Sequence, residues 1–333
     1  MTRRRRNNIS EIKLENGQRI YGREDIEKYF ENHFNELYST SNPSFSTNLE
    51  NLIEPSISAT KNEKLLKIPL EEEIQRTIFE MNQLKAPGPD GMPRLFFKKL
   101  WHIVRKQLIQ KVQSFFRDEW LLKDMNKTFI ILIPKVQDAY NFGHFRPISL
   151  CNFCYKVISR ILVARLQPLL DKLIDLAQVA FVPNRNIAEN VLLAQEVVHS
   201  FSTTKKKKGF MGLKLDFQKA YDRLEWPFLV QVLKNFGFHQ KFINLIYQCI
   251  STLSFTFLLN GGKGRSINPL RGLRQGDLLS PYLFIIGSEV LARMINRSTT
   301  QRLINGIKIA PLTLGILKLF YADDVLLVYK AKH

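Results

Sequence analysis

Three carboxylates in this sequence sit where they contribute little to folding. Asp323 and Asp324 are adjacent in Ile316-Leu-Lys-Leu-Phe-Tyr-Ala-Asp-Asp-Val-Leu-Leu-Val-Tyr329, between two apolar runs. Like charges side by side repel. Asp is also an ordinary hairpin-turn residue, and for this pair alone a simple turn is the plainer reading. Asp216 shifts the balance. It closes a second apolar run, Phe210-Met-Gly-Leu-Lys-Leu-Asp-Phe217, at the end where a strand would stop. If the two strands are neighbours in one sheet, Asp216 meets Asp323, although the two are far apart in the chain. Carboxylates grouped at strand ends suit a hard cation. Mg²⁺ takes oxygen ligands and is often held by one or two carboxylates plus substrate phosphates. Two such ions can activate an attacking hydroxyl and stabilise a leaving oxygen, which is phosphoryl-transfer chemistry.

The elements that must carry these acids follow from hydrophobic periodicity. Residues 210–217, 315–321 and 325–329 read as strands. Residues 128–134 form a β-branched run ended by a proline, hence a buried strand, and residues 145–150 a second extended piece. Residues 255–260 and 263–268 read as a hairpin across Asn260-Gly-Gly. This assignment also accounts for the glycine-rich Gly261-Gly-Lys-Gly-Arg-Ser266, whose spacing misses that of a phosphate-binding loop. Helices are expected over 23–37, with Ile26, Tyr29, Phe30, Phe34 and Leu37 on one stripe, and from Pro69 to before the proline-rich Ala86-Pro-Gly-Pro-Asp-Gly-Met-Pro93. Further helices are expected over 95–120, 151–170, 187–202, 226–236, 240–251 and 280–297, the last with Pro281 in its first turn. Strands and helices alternate irregularly, which predicts an α+β fold with an antiparallel sheet packed on helices.

The 333 residues carry 49 Lys and Arg against 30 Asp and Glu, a net charge of +19, and 45% are hydrophobic. A disordered basic tail is excluded by the apolar fraction. An excess of this size points to a polyanionic partner. Three cysteines exclude a disulfide scaffold. Cys151 and Cys154 form one C-x-x-C without a second ligand pair, so they are read as core residues and no zinc is expected. No apolar stretch is long enough to span a bilayer, and no apolar signal region follows the N-terminus. The short basic runs 3–6 and 205–208 suit an import signal, a solvated loop or a phosphate contact alike.

Taken in order, Lys214-Leu-Asp-Phe-Gln-Lys-Ala-Tyr-Asp222, Gly272-Leu-Arg-Gln-Gly-Asp-Leu-Leu-Ser-Pro281 and Phe320-Tyr-Ala-Asp-Asp324 resemble the successive palm motifs of reverse transcriptases, specifically those of plant non-LTR (LINE-type) retrotransposons. Ile133-Pro-Lys135, Phe145-Arg-Pro-Ile-Ser-Leu150, Ala180-Phe-Val-Pro183 and Ala86-Pro-Gly-Pro-Asp-Gly91 resemble segments of that family's fingers. The resemblance covers residues 65–333. It implies a polymerase right-hand fold, with fingers over about 65–209 and palm over about 210–333. Residues 1–64 resemble the connector that follows an endonuclease domain in such elements.

The resemblance also implies roles. Asp216 and Asp323 would be the metal-binding acids and Asp324 a supporting one, with two Mg²⁺ as cofactor and Mn²⁺ as the alternative ion. Tyr221 would lie under the incoming sugar and reject a ribose 2′-hydroxyl. Gln275 and Gly276 would lie beside the nucleotide and template strand: glycine allows close backbone approach, and the glutamine amide offers a donor and an acceptor. Lys135 and Arg146 would reach the triphosphate, as a point charge and a bidentate fork. The partners would be an RNA template, a DNA primer and dNTPs, in a nuclear or cytoplasmic ribonucleoprotein.

The sequence departs from the family in places. Asn184 stands where Gly is usual, and the chain stops nine residues after Asp324, before the primer grip and thumb of family members. The expectation is therefore a truncated RNA-directed DNA polymerase core with the thumb absent. The alternative is an inactive remnant that binds nucleic acid without incorporating nucleotides, which keeps the basic charge and the fold but not the chemistry.

Overall fold

The computed structural model describes residues 8–44, 47–81, 86–203, 209–307, 315 and 317–330. The basic runs 3–6 and 205–208 lie outside the described residues, as does Ile316 of the expected 315–321 strand. The strands are β1 (Glu11–Lys13), β2 (Arg19–Tyr21), β3 (Lys127–Pro134), β4 (Phe145–Cys151), β5 (Phe210–Asp216), β6 (Ser254–Leu259), β7 (Gly262–Ile267), β8 (Lys318–Tyr321) and β9 (Asp324–Lys330). The helices are α1 (Arg23–Tyr38), α2 (Ala59–Leu66), α3 (Glu71–Glu80), α4 (Arg94–Lys99), α5 (Trp101–Asp118), α6 (Lys123–Asn126), α7 (Phe153–Leu173), α8 (Ile187–Thr203), α9 (Trp226–Asn235), α10 (Gln240–Ser251) and α11 (Ser280–Thr300).

The strands form two main sheets. β5, β9 and β8 make an antiparallel sheet in that spatial order, which brings together the strands that carry the three acids. The second sheet has the order β4-β3-β6-β7 and is mixed, because β3 and β6 run parallel, with Lys127 opposite Ser254 and Ile131 opposite Leu258. A hairpin from the C-terminal half of the chain thus completes a sheet begun in the N-terminal half. That hairpin turns on Asn260 and Gly261, both with positive φ (51° and 87°), as the tightest two-residue turns require.

Each sheet has its own core. The mixed sheet packs on α1, whose Ile26, Phe30, Phe34, Leu37 and Tyr38 are buried against Ile130, Leu132, Phe255 and Phe257. The α1 stripe predicted from spacing is this face. Residues read from sequence as part of a connector therefore share a core with strands from about 90 to more than 200 positions away. The larger core gathers α7, α9, α10 and α11 around Tyr155, Phe236 and Phe242. Beneath the three-stranded sheet, Phe320 and Val325 pack on Ala292 and Ile295 of α11.

Two local expectations are corrected. The helix expected over 95–120 is two helices, α4 and α5, interrupted at Leu100 (φ −102°, ψ 23°). The break lets Phe97 stack on Phe153, with ring centroids 4.0 Å apart, while α5 buries its own stripe from Leu108 to Phe116. Cys151, expected at the start of a helix, ends strand β4, and α7 begins at Phe153. There the proline-rich segment docks: Asp90 Oδ2 accepts the Phe153 N–H at 2.7 Å, so a carboxylate meets the helix N-terminus.

Candidate active site

Sheet register builds the acidic edge. β5 and β9 pair so that Asp216 lies opposite Asp324, and β8 and β9 pair so that Tyr321 lies opposite Asp324. Ala322 and Asp323 are left as a two-residue tip beside the end of β5. Asp216 and Asp323 both line one cavity of about 630 Å³. Asp324 is not among its lining residues; its exposed carboxylate pairs instead with Lys214 Nζ at 3.3 Å. The structure therefore brings two of the three predicted acids into the cavity and places the third beside it.

The same cavity is lined by Lys135, Arg146, Tyr221, Gln275 and Gly276, the other five residues picked out from sequence. Lys135 stands just past the end of β3, where its N–H donates to His144 O and its Nζ to Gly143 O at 3.1 Å. Arg146 lies on β4 opposite Ile133 and is exposed. Both cations line the cavity together with Phe142 and Gly143 of the β3–β4 connection. The Tyr221 ring is held flat on Phe284, with centroids 4.5 Å apart and planes 12° apart. Burial, with the charge of Asp323 nearby, pushes its phenol well above the usual range.

Gln275 and Gly276 sit on a loop tied on both sides. Ser149 N–H of β4 donates to Gln275 O at 2.8 Å, and Leu273 N–H to Tyr221 O at 2.7 Å. Gly272 has φ +90°, and a Cβ there would come within 2.5 Å of Asp222 O. Below the loop lies a buried polar network. Arg274 and Asp277 are 6% and 7% exposed and approach to 3.5 Å. Asp277 accepts from Tyr155 OH and Ser159 OH at 2.7 and 2.8 Å. Arg274 donates to Asn126 Oδ1 and Cys249 O and lies over the Tyr155 ring. The two residues between these anchors face the cavity.

Sequence reasoning missed three participants. Asp222, 1% exposed, accepts from Tyr38 OH at 2.8 Å and from Gln275 Nε2 at 3.0 Å, so α1 reaches the loop amide through one carboxylate. Burial raises its carboxyl to about 6, against the opposing pull of the Tyr38 bond, Lys219 and Gln275. Lys219 also lines the cavity, with Nζ 3.6 Å from the Phe142 ring centroid. Burial, with Lys135 and Arg223 nearby, lowers its ammonium to about 8, although Asp222 opposes the shift. The third participant is the Arg274–Asp277 pair. Its spacing of three was the one available signal; nothing local marks Tyr38.

Three carboxylates line the cavity; Asp222 is taken up by Tyr38 and Gln275, which leaves Asp216 and Asp323 as the oxygen donors a hard cation would take. Among the described residues no group of three or more His, Cys, Asp or Glu side chains could hold a metal, so a bound Mg²⁺ would complete its shell from substrate oxygens and water. Among the described residues no helix is long and apolar enough to cross a membrane.

Comparison with known proteins bears on the whole of this region. The chain is 26% identical over 274 residues to the transposon TX1 uncharacterized 149 kDa protein of Xenopus laevis, covering 82% of this chain and 20% of that protein. It is 27% identical over 247 residues to the retrovirus-related Pol polyprotein from type-1 retrotransposable element R2 of Nasonia vitripennis, covering 74% of this chain and 22% of that polyprotein. An uncharacterized mitochondrial protein of Arabidopsis thaliana is 44% identical over 68 residues, 20% of this chain and 56% of that protein. The chain thus spans about a fifth of the length of the first two relatives. Residues 133–333, which include every site residue expected from sequence, match the family described as reverse transcriptase (RNA-dependent DNA polymerase), and the chain belongs to that family.

Proposed function

We propose that the chain is the RNA-directed DNA polymerase core of a plant non-LTR, LINE-type retroelement, which extends a DNA primer with dNTPs on an RNA template within a nuclear or cytoplasmic ribonucleoprotein. The observation that carries this reading is the convergence of Asp216, Asp323, Tyr221, Gln275, Gly276, Lys135 and Arg146 on one cavity. In this reading the fingers span about 65–209 and the palm about 210–333, so the three-stranded sheet with α9 and α11 belongs to the palm and the mixed sheet joins β3 and β4 of the fingers to β6 and β7 of the palm. The net charge of +19 suits a primer–template duplex, whose phosphates attract Lys and Arg.

Asp216 and Asp323 would hold two Mg²⁺, or Mn²⁺ in their place, with Asp324 in support. When bound, such ions activate the primer 3′-hydroxyl and stabilise the leaving oxygen. The chain's own residues do the rest. Lys135 and Arg146 bind and orient the triphosphate from the cavity rim, Arg146 as a fork and Lys135 as a point charge. Tyr221, braced on Phe284, fills the space a 2′-hydroxyl would need. Gly276 admits the template strand close to the backbone. Asp222 keeps the Gln275 amide turned one way, with its nitrogen toward the protein.

Extension of a DNA primer on an RNA template tests the assignment. Wild type should incorporate dNTPs in Mg²⁺, and Asp323→Asn should lose about 10³-fold or more, as removal of several kcal/mol of transition-state stabilisation requires. Equal rates in the two would sink it. Salt-sensitive duplex binding with no incorporation by wild type would mark the chain as a binding remnant instead.

A further inference from the structure

Ala322 and Asp323 form the two-residue tip between β8 and β9, and Ala322 has φ +54°. Such tips take glycine where φ must be positive. An alanine there holds a conformation that its Cβ disfavours, and such a conformation persists only where the surroundings over-determine it. One side chain supplies much of that determination. Gln178, 3% exposed, accepts the Ala322 N–H on Oε1 at 3.0 Å and donates from Nε2 to Ala322 O at 3.4 Å. Both backbone polar groups of the turn residue are therefore taken by a single amide. That amide is itself oriented, since its Oε1 also accepts the Ala180 N–H at 3.0 Å.

The backbone on either side continues the contact. Phe320 N–H donates to Ala177 O at 2.9 Å and Val179 N–H to Phe320 O at 3.4 Å. Asn190 Nδ2 of α8 donates to both Ala177 O and Phe320 O, at 2.9 and 3.1 Å. The 175–180 segment is anchored in turn. Arg185 Nη1 donates to Asp175 O and Gln178 O at 2.6 and 2.8 Å, and Lys318 Nζ to Asp175 Oδ2 at 2.8 Å.

We propose that Gln178 is the positioning residue for Asp323: by gripping both polar groups of Ala322 it sets the direction in which the next carboxylate enters the cavity. Gln178 does not line that cavity and acts only through the turn. The inference rests on the reading of Asp323 as a metal-holding acid. An amide suits the task because one planar group presents a donor and an acceptor to the two ends of one peptide residue. A glutamate would lack the donor, and a methionine of similar length would lack both functions.

The test uses the full chain as wild type, Gln178→Met, Asn190→Ala and Asp323→Asn, with two readouts that do not depend on turnover. Hydrogen exchange is followed in peptides covering residues 318–325. MnCl₂ is titrated into the chain with a dideoxy-terminated primer–template and the next dNTP, and free Mn²⁺ is read by electron paramagnetic resonance. Gln178→Met should speed exchange at the hairpin tip and weaken Mn²⁺ binding by roughly tenfold, the usual scale for loss of a group that orients a ligand. Asn190→Ala, which removes a half-buried contact to the same segment, should shift both in the same direction by less. Wild-type hairpin exchange in Gln178→Met overturns the proposal. So does a loosened hairpin with unchanged Mn²⁺ affinity while Asp323→Asn weakens binding. If Asp323→Asn leaves Mn²⁺ binding unchanged, the metal reading of Asp323 fails first and takes this inference with it. Should Gln178→Met fail to fold, Asn190→Ala decides, and wild-type exchange at its hairpin overturns the proposal.

Discussion

On one wall of the cavity, Asp216 and Asp323 stand at strand ends, with Asp216 and the neighbouring Asp324 exposed; on the other, Gln275 and Gly276 ride between two charges, Arg274 and Asp277, that are almost wholly buried. The acidic wall is positioned through its main chain: strand register and a two-residue turn whose backbone polar groups are held by the Gln178 side-chain amide. The loop wall is positioned by side chains: an ion pair, a tyrosine, a serine and an asparagine packed under it. On the proposed reading the acids meet a cation and a substrate and must stay accessible, so their precision has to come from the main chain. The loop presents an amide, a glycine and one edge of the buried Arg274, so its buried side chains act as anchors. Changes on the first wall should therefore register in activity, and changes on the second in stability.

The widest separation is expected from the acids. Asp216→Asn or Asp323→Asn should lower incorporation about 10³-fold while shifting urea unfolding by less than about 0.5 kcal/mol, as changes away from the core do. Asp324→Asn, whose carboxylate faces Lys214, should lose far less activity. A large stability loss in the first two would erase the contrast. The opposite profile is expected of Arg274→Met. It leaves Asp277 buried without its counter-charge, and breaking such a pair removes about 3–5 kcal/mol, readable in a urea melt at pH 7. A stability change under 1 kcal/mol would show that the pair is not the loop's anchor.

Asp222 sharpens the comparison through pH. Its carboxyl rises from 3.8 to about 6 in the fold, so the folded state favours the protonated form. That contribution is fully present below about pH 4, is lost as pH rises through 6, and amounts to about 3 kcal/mol. Asp222→Asn should remove this slope and be at least as stable as wild type at pH 7. Urea melts from pH 4 to 7 with the same slope in both chains would refute the assignment. Gly272→Ala should destabilise by about 2 kcal/mol, from the positive φ and the approach of its Cβ to Asp222 O. The smallest effect is expected of Tyr38→Phe, about 1 kcal/mol for one hydrogen bond to a buried acceptor, with a raised KM for dNTP as the Asp222 carboxylate that holds Gln275 loses its other donor.

The parts of the site that were legible in sequence share one property: each motif carries its signal within a few residues. Lys214-Leu-Asp216 marks a strand end by apolar flanks and Asp323 lies between two apolar runs, whereas Gln275-Gly276 was picked out by the resemblance of Gly272–Pro281 to a palm motif. The unread parts are pairings over long separations. Tyr38 meets Asp222 across 184 positions, and Gln178 meets Ala322 across 144. The helix break at Leu100 escaped for a related reason, since continuous periodicity does not reveal that two halves bury their faces on different neighbours. The parallel pairing of β3 with β6 was equally hidden, because strand propensity carries no information on partner or direction.

By itself the sequence determined the residue chemistry: which side chains are carboxylates, cations, amides and rings, and which short elements hold each at an end or a turn. Only the tertiary structure decided that seven of the predicted residues share one cavity while Asp324 turns to Lys214, that α1 belongs to the same body through Tyr38, and that a buried glutamine bonds both backbone groups of Ala322 in the acidic turn. The physical reason is that periodicity and turn preference act over a few residues, whereas register, burial and the choice of hydrogen-bond partner are settled when distant segments compete for the same buried space.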